Sequence, residues 1–287
     1  MIRSARTGLF SLLLFLYIQN TTANPRIAVS IYPVFDLMNQ IAGDQAETIL
    51  VIPPGANPHT YEPVPSVIRS LQHINLFIGI EEHFDGWIKS FISEDTESIY
   101  LSDLLELNDS DHHTHDTPNP HIWLSISHAR TITEIILETL CRLDSANVHF
   151  YKQNFQSLQS KLTRLDNKFH LLFSDVPNRC FIQWHAAWNY FASDYGLVII
   201  GTIEHGHGDT PSVRDFQMLV QNAKKYHTGT IVIGLNADNT TAVSLANEIG
   251  GNIIRLDTIG DPNIPERAGY LEMMNFNASA LHQALTQ

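Results

Sequence analysis

Short apolar runs rich in β-branched residues alternate with longer amphipathic stretches along most of the chain. In the first half these runs predict the strands Arg26–Ile31, Thr48–Ile52, Asn75–Ile80 and Ser98–Leu101. In the second half they predict the strands Cys180–Gln183, Leu197–Gly201, Thr230–Leu235 and Asn252–Leu256. Helical spacing of apolar residues predicts the helices Val34–Ala42, Pro65–Gln72, Asp215–Tyr226, Thr240–Ile249 and Ala268–Leu285. The alternation indicates an α/β fold of two lobes, each a mostly parallel sheet flanked by helices.

One long amphipathic segment separates the two halves. Residues His149–Leu172 contain neither glycine nor proline and place large apolar side chains at helical intervals. At about 1.5 Å per residue they predict one helix of ~35 Å, and turn-forming residues at 175–178 end it. We therefore expect a rigid helix at residues 148–174 to join an N-terminal lobe, residues 24–147, to a C-terminal lobe, residues 175–287.

The N-terminus has the pattern of an export signal. Arg3 and Arg6 precede the apolar run Leu9–Ile18, and small residues at 21–23 offer a cleavage site. The run is too short to cross a hydrocarbon core of ~30 Å, which favours a cleaved signal peptide, residues 1–23, over an uncleaved anchor. We expect cleavage near Ala23 and a mature chain free in the periplasm, without a membrane anchor.

The net charge narrows the classes of binding partner, and the two cysteines raise the question of a disulfide. The formal net charge is -13, and it becomes -15 without Arg3 and Arg6. An acidic chain is a poor partner for nucleic acid or anionic membranes and mildly favours cations. Cys141 lies in a predicted helix, Leu137–Leu143, and Cys180 begins a predicted strand, so a disulfide and two buried free thiols both remain open. We expect a monomer that binds no nucleic acid.

Two segments are unusually rich in histidine. Residues 108–116 hold three histidines, three aspartates and no apolar residue, which predicts an exposed loop that captures cations weakly. Residues 205–209 read His-Gly-His-Gly-Asp and follow an apolar strand. The candidate accessory metal ligands in these segments are His112, His113, His115, His205 and His207.

The second of these segments also supplies an alternative function. His205, His207 and Asp209 match the His-x-His-x-Asp-His signature of metallo-β-lactamase-like zinc hydrolases, except that Thr210 replaces the last histidine. A catalytic zinc also needs an open coordination position and a base. No other catalytic signature accompanies the segment in the sequence. We therefore predict that the protein is not an enzyme.

Three further histidines occupy similar settings. His59 and His121 each follow Asn-Pro, His185 follows a tryptophan, and an aromatic residue comes within three positions after each. Since about sixty residues separate one from the next, they can meet only through the fold. An isolated histidine is more often structural or solvated, but imidazole is also the commonest metal-binding side chain. Three in matching settings therefore favour one metal site between the lobes.

These segments resemble the zinc- and manganese-type solute-binding proteins of bacterial ABC importers, and the resemblance covers essentially all of the chain after residue 24. It rests on residues 26–33, on Pro-Gly-Ala-Asn-Pro-His-Thr-Tyr-Glu-Pro at 54–63, on Pro-His-Ile-Trp-Leu at 120–124, on residues 185–191 and on Tyr-Leu-Glu-Met-Met at 270–274. It implies two α/β lobes joined by a long helix, a metal ion in the cleft, and delivery of that ion to a membrane permease.

The resemblance also implies a ligand set. It places His59, His121, His185 and Asp257 at the metal. Glu62, three residues after His59, is either a hydrogen-bonding neighbour of the site or a residue that lies beside the N-terminus of the following helix, and the sequence leaves both open. The family usually has Asp-Pro-Leu-Gly where this chain has Asp-Thr-Ile-Gly at 257–260, so Asp257 and a water molecule both remain open as the fourth ligand. Three imidazoles and one carboxylate suit Zn²⁺, whereas Mn²⁺ favours more oxygen donors. Zn²⁺ is the expected transported ion, and Mn²⁺ is the alternative.

Overall fold

The computed structural model describes residues 24–105, 107, 112–113, 117–204, 211–235, 237 and 240–287. The expected signal peptide, residues 1–23, lies outside these described residues and stays a prediction. Within the described ranges, no helix combines the length and the apolar character needed to cross a membrane.

The first lobe is built on a four-stranded parallel sheet. Its strands, in the order β2-β1-β3-β4, are β1 (Arg26–Val29), β2 (Glu47–Leu50), β3 (Leu76–Gly79) and β4 (Glu97–Tyr100). The register pairs Ile27 with both Thr48 and Leu76. Every residue of β3 is buried, as expected for a parallel strand covered on both faces. The four predicted strands are confirmed, with ends that shift by one or two residues.

Helices and a short ribbon complete this lobe: α1 (Tyr32–Ala42), α2 (Pro65–Ser70), α3 (Glu82–Asp85), β5 (His112–His113), β6 (Thr117–Pro118) and α4 (Ile126–Leu143). The sequence predicts only the last part of α4, because polar residues interrupt the apolar pattern of its first turns. Ser125 nevertheless caps the helix by accepting a hydrogen bond from the backbone N–H of His128 (3.1 Å). Ile132, Ile136 and Leu140 then form the buried face.

A single helix, α5 (Val148–Ser174), joins the lobes over 27 residues, or about 40 Å at 1.5 Å per residue. Its buried residues recur at helical spacing, and α5 packs along α1 and α4 of the first lobe. At its other end Phe169 and Phe173 contact Phe191 of the second lobe, with ring centroids 6.1 and 5.7 Å apart. Packing at both ends makes α5 a rigid connection, which confirms the prediction.

The second lobe repeats the plan with a parallel sheet in the order β10-β9-β7-β8. Its elements are β7 (Cys180–Gln183), α6 (Asn189–Asp194), β8 (Val198–Thr202), α7 (Val213–Tyr226), β9 (Thr230–Gly234), α8 (Thr240–Ile249), β10 (Asn252–Leu256) and α9 (Tyr270–Leu285). Cys180 on β7 and Cys141 on α4 are both free thiols, so the disulfide alternative is wrong.

Hydrogen bonds between the lobes hold them together beside the cleft. The Tyr32 hydroxyl donates to the Ala268 carbonyl (2.5 Å), and the Trp123 indole N–H donates to the Thr258 carbonyl (2.6 Å). The Tyr270 hydroxyl donates back to the Trp123 carbonyl (2.8 Å). The main apolar core also runs from the first lobe across α5 and α9 into the second. The cleft therefore has walls whose spacing is fixed by shared packing.

Candidate metal centre

A cavity of about 820 Å³ lies between the two lobes. In the second lobe, the loops that follow β7, β8, β9 and β10 line it. The carboxyl ends of parallel strands are where open α/β sheets bind ligands, because the loops there converge. The lining residues used below are His59, His121, Trp123, His185, Trp188, Glu204, Asp257, Ile259, Gly260 and Arg267.

The three histidines singled out in the sequence meet in this cavity. Their ring centroids are 5.4 Å apart for His59 and His121, 5.1 Å for His59 and His185, and 4.9 Å for His121 and His185. One ring nitrogen of each lies within 4.8 Å of one ring nitrogen of both others. Since zinc binds imidazole nitrogen at about 2.0–2.1 Å, small side-chain adjustments bring all three donors to one ion. His121 is buried, and the other two are half-buried.

The tautomer of His121 is set by Asn119. The Asn119 Oδ1 accepts from the backbone N–H of His121 (3.0 Å) and lies 2.8 Å from its Nδ1. The Asn119 Nδ2 donates to the Ala186 carbonyl (2.8 Å), which fixes the amide orientation and leaves Oδ1 as the acceptor. Nδ1 of His121 therefore carries the proton, and Nε2 presents its lone pair to the cavity.

Asn119 also ties the His121 loop to the His185 loop across the cleft. Its side chain reaches the carbonyl of Ala186, and its own carbonyl accepts from the Tyr190 hydroxyl (2.9 Å). In the sequence this asparagine is visible only as part of the Asn-Pro-His motif. The repeated Asn-Pro-His pattern is the signal that could have found it, because Asn57 likewise accepts from the backbone N–H of His59 (3.0 Å).

Aromatic rings pack against the two histidines of the first lobe. Phe84 meets the His59 ring edge-on, with centroids 4.9 Å apart, and Trp123 lies 5.2 Å from the His121 ring. Phe84 and Trp123 contact each other at 5.9 Å. These contacts hold the two imidazole rings in place at the edge of the cavity.

His185 is held by a loop with its own polar support. The Gln183 side chain accepts from the Trp188 backbone N–H (3.1 Å) and donates to the Thr202 hydroxyl (3.1 Å). The His185 Nδ1 lies 3.7 Å from Oε2 of Glu204, whose side chain is 14% exposed. A carboxylate on the Nδ1 side favours the tautomer that directs Nε2 to a cation. Sequence reasoning missed Glu204, although an acidic residue just after a strand of a parallel sheet is a usable signal.

Asp257 lines the same cavity, but its carboxylate is engaged by its own loop. Its Oδ1 accepts from the backbone N–H groups of Ile259 (2.9 Å) and Gly260 (3.0 Å). Its Oδ2 pairs with Nη1 of Arg267 at 2.5 Å, and the two side chains are only 8% and 15% exposed. Among the residues that the structure describes, the donor group close enough to hold one ion consists of the three histidines without Asp257.

The remaining predicted residues lie elsewhere. Glu62 is exposed and is not among the residues that line the cavity. The backbone of His112 and His113 forms β5, but their side chains are outside the described part of the chain. The rest of the predicted accessory and hydrolase residues also fall outside the described ranges, namely His115, His205, His207 and Asp209.

Comparison with known proteins gives consistent matches. A family model described as the periplasmic component A of the zinc-uptake complex, ZnuA, matches residues 27–284. The high-affinity zinc uptake system protein ZnuA of Bacillus subtilis is 26% identical over 277 residues, covering 90% of this chain and 87% of that protein. The zinc-binding lipoprotein AdcA of Streptococcus pneumoniae serotype 4 is 27% identical over 280 residues, covering 91% of this chain but only 56% of AdcA. The crystal structure of the Zn(II)-bound ZnuA-like domain of S. pneumoniae AdcA superposes with a TM-score of 0.74 at 26% identity, covering 92% of this chain and all of that domain.

Proposed function

Because the chain belongs to the family of periplasmic zinc-uptake components, we propose that it captures Zn²⁺ in the cleft between its lobes and delivers it to the permease of an ABC importer. The family consists of solute-binding proteins for metal uptake, so the protein is not an enzyme and the hydrolase alternative falls away. The cation is cargo that is bound and released, and no bond in a substrate is made or broken.

The observation that supports zinc most directly is the donor set. Three imidazoles from distant loops of both lobes place their nitrogens within 4.8 Å of one another, in a partly aromatic pocket. Imidazole suits Zn²⁺, whereas Mn²⁺ favours sites richer in oxygen. The names of the B. subtilis and S. pneumoniae relatives point the same way, since both proteins are described by zinc. Manganese remains the second candidate, to be decided by titration.

In this proposal His59, His121 and His185 are the cation ligands, and each binds through the nitrogen that faces the cavity. A fourth ligand completes the tetrahedron that zinc prefers. Asp257 takes this place when its Oδ2 leaves Arg267, and a water molecule takes it otherwise. The ligands come from the two lobes proposed for residues 24–147 and 175–287, with the helix at 148–174 between them. Residues 1–23 are the export signal in this proposal.

The experiment is metal titration of the chelator-stripped mature protein, with zinc and manganese in competition. We expect one tight zinc per chain that excess manganese does not displace. His59→Ala, His121→Ala and His185→Ala should each weaken zinc binding by far more than about tenfold, because each removes a direct ligand. His149→Ala is the matched control, since His149 is exposed on α5, far along the chain from any ligand loop.

Other outcomes separate the alternatives. A tight manganese site lost in the same three variants would keep the carrier role and change the cargo. Deleting residues 109–116 should remove only weak additional binding, and loss of the tight site in that variant would move the site to the histidine-rich segment. Unchanged zinc affinity in any one of the three alanine variants would refute the ligand assignment.

A further inference from the structure

Arg267 places a fixed positive charge inside the metal cavity. Its Nη1 lies 2.5 Å from Oδ2 of Asp257, and both residues line the cavity together with the three histidines. Only 15% of its side chain is exposed, and its guanidinium carbon lies 5.7 Å from the ring centroid of Phe276. An arginine remains charged at any physiological pH, so this pair is a built-in ion pair at the edge of the cation site.

The backbone of Arg267 is held by the same loop that carries Asp257. It is the last residue of a short 3-10 turn, Pro265–Arg267, and its N–H donates to the Ile264 carbonyl (2.9 Å). Its carbonyl accepts from the backbone N–H of Asp261 (3.0 Å). The guanidinium therefore starts from a fixed position, six residues from Asp261 and ten from Asp257 along the chain.

Both oxygens of Asp257 already accept hydrogen bonds in this arrangement. Oδ1 serves two backbone N–H groups, and Oδ2 serves Arg267. A cation that uses Asp257 as a ligand must compete with the guanidinium for Oδ2 and must also approach a like charge in a partly buried site. The guanidinium therefore weakens binding most for a cation that depends on oxygen donors. It weakens binding least for a cation that is held by imidazole nitrogens.

We propose that Arg267 is a specificity-determining residue, which withholds the Asp257 carboxylate from the bound cation and so disfavours Mn²⁺ relative to Zn²⁺. This inference rests on the proposed function, because it needs the three histidines to be the cation ligands. Under a purely structural role, Arg267 would hold the loop at 257–267 in place, and its replacement would weaken both metals alike. The two roles therefore differ in the ratio of the two affinities.

The test compares zinc and manganese dissociation constants, each measured by competition with a chromophoric chelator, in the whole mature chain. Arg267→Gln should strengthen manganese binding by about tenfold or more and change zinc binding much less, since neighbours of metal ligands commonly shift affinity by 10–100-fold. Arg267→Lys keeps the charge and should keep a ratio near that of the unmodified protein. The gain in manganese affinity should vanish in Arg267→Gln/Asp257→Asn, because the released carboxylate is then missing.

Three results would overturn the inference. The first is an unchanged affinity ratio in Arg267→Gln, and the second is a gain that persists in the double variant. The third applies even if Arg267→Gln does not fold: Asp257→Asn alone should change manganese affinity only slightly while Arg267 is present, so a large loss would contradict the idea of a withheld ligand. Failure of the proposed function looks different, because the unmodified chain would then bind neither metal tightly.

Discussion

Replacing Asn119 by alanine tests whether His121 owes its binding geometry to a hydrogen-bonding neighbour. The substitution removes the acceptor for His121 Nδ1 and for the His121 backbone N–H, and it removes the donor to the Ala186 carbonyl. Outer partners of metal-bound histidines are worth 10–100-fold in affinity, and a factor of ten corresponds to about 1.4 kcal/mol. We therefore expect zinc affinity to fall by about 10–100-fold, without loss of any ligand.

The same substitution should also destabilise the protein, because Asn119 is only 1% exposed. Leaving buried hydrogen-bonding groups without partners costs about 1–3 kcal/mol each, so the loss of three such bonds should cost at least about 3 kcal/mol. Urea denaturation of the metal-free protein measures this change, and zinc titration is then done under conditions where the variant is fully folded.

Two further variants compare the contributions of individual hydrogen bonds to zinc affinity. Asn119→Asp keeps an acceptor for both His121 donors but loses the donor to the Ala186 carbonyl, so it should bind zinc more tightly than Asn119→Ala. Asn57→Ala removes the equivalent bond to the backbone N–H of His59 but no bond between the two loops that carry His121 and His185, and it should have the smaller effect on affinity. Zinc affinity of Asn119→Ala within a factor of about three of the unmodified protein would refute the reasoning, given the expected 10–100-fold.

Two further predictions concern other charged groups. Burial raises the pKa of Asp85 from 3.8 to about 7. The folded state therefore binds more protons than the unfolded state between about pH 4 and 7, and stability from this group falls as pH rises through that window, by at most about 4 kcal/mol. Urea denaturation at pH 5 and pH 7.5 should show Asp85→Asn gaining stability relative to the unmodified protein at the higher pH, and an equal difference at both would contradict this. Glu204→Gln should weaken zinc binding roughly tenfold by removing the carboxylate near His185, while Glu248→Gln, exposed on α8, should not; equal affinities would exclude a role for Glu204.

Predictions from sequence were best where burial alone decides the local structure. The central strands of both sheets, β1, β3, β7 and β9, are nearly continuous apolar runs, because a central parallel strand is covered on both faces. Apolar runs mark the strands of both sheets to within two residues. The helix α5 is equally predictable from the sequence, because an unbroken helical period of apolar residues without glycine or proline indicates only a helix. The first turns of α4 were missed because its start depends on the Ser125 cap and on tertiary burial of a narrow apolar face.

The metal site can be predicted from the sequence only in part, because local sequence patterns mark its histidines but not the contacts between its loops. Similar flanking motifs mark His59, His121 and His185, and the fold brings them together. The engagement of Asp257 with Arg267 is set by a loop of irregular conformation, in which Gly260 adopts a φ of +83°. No periodicity encodes such a contact, so the sequence suggests a carboxylate ligand without indicating its competitor.

The shared core and the bonds between the lobes decide where selectivity in this cleft can arise. Trp123 lines the cavity and is bonded both to the Thr258 carbonyl and to the Tyr270 hydroxyl of the other lobe. Asn119 adds a bond between the two loops that carry His121 and His185. Ordering side chains on binding costs affinity. Because the two lobes are bonded at these points, the three histidines need little further ordering when a cation binds. Differences between cations must then come from side chains that touch the ligands. The polar side chains of this kind include Asn119 beside His121, Glu204 beside His185 and Arg267 beside Asp257, and none of the three lies on the helix that joins the lobes.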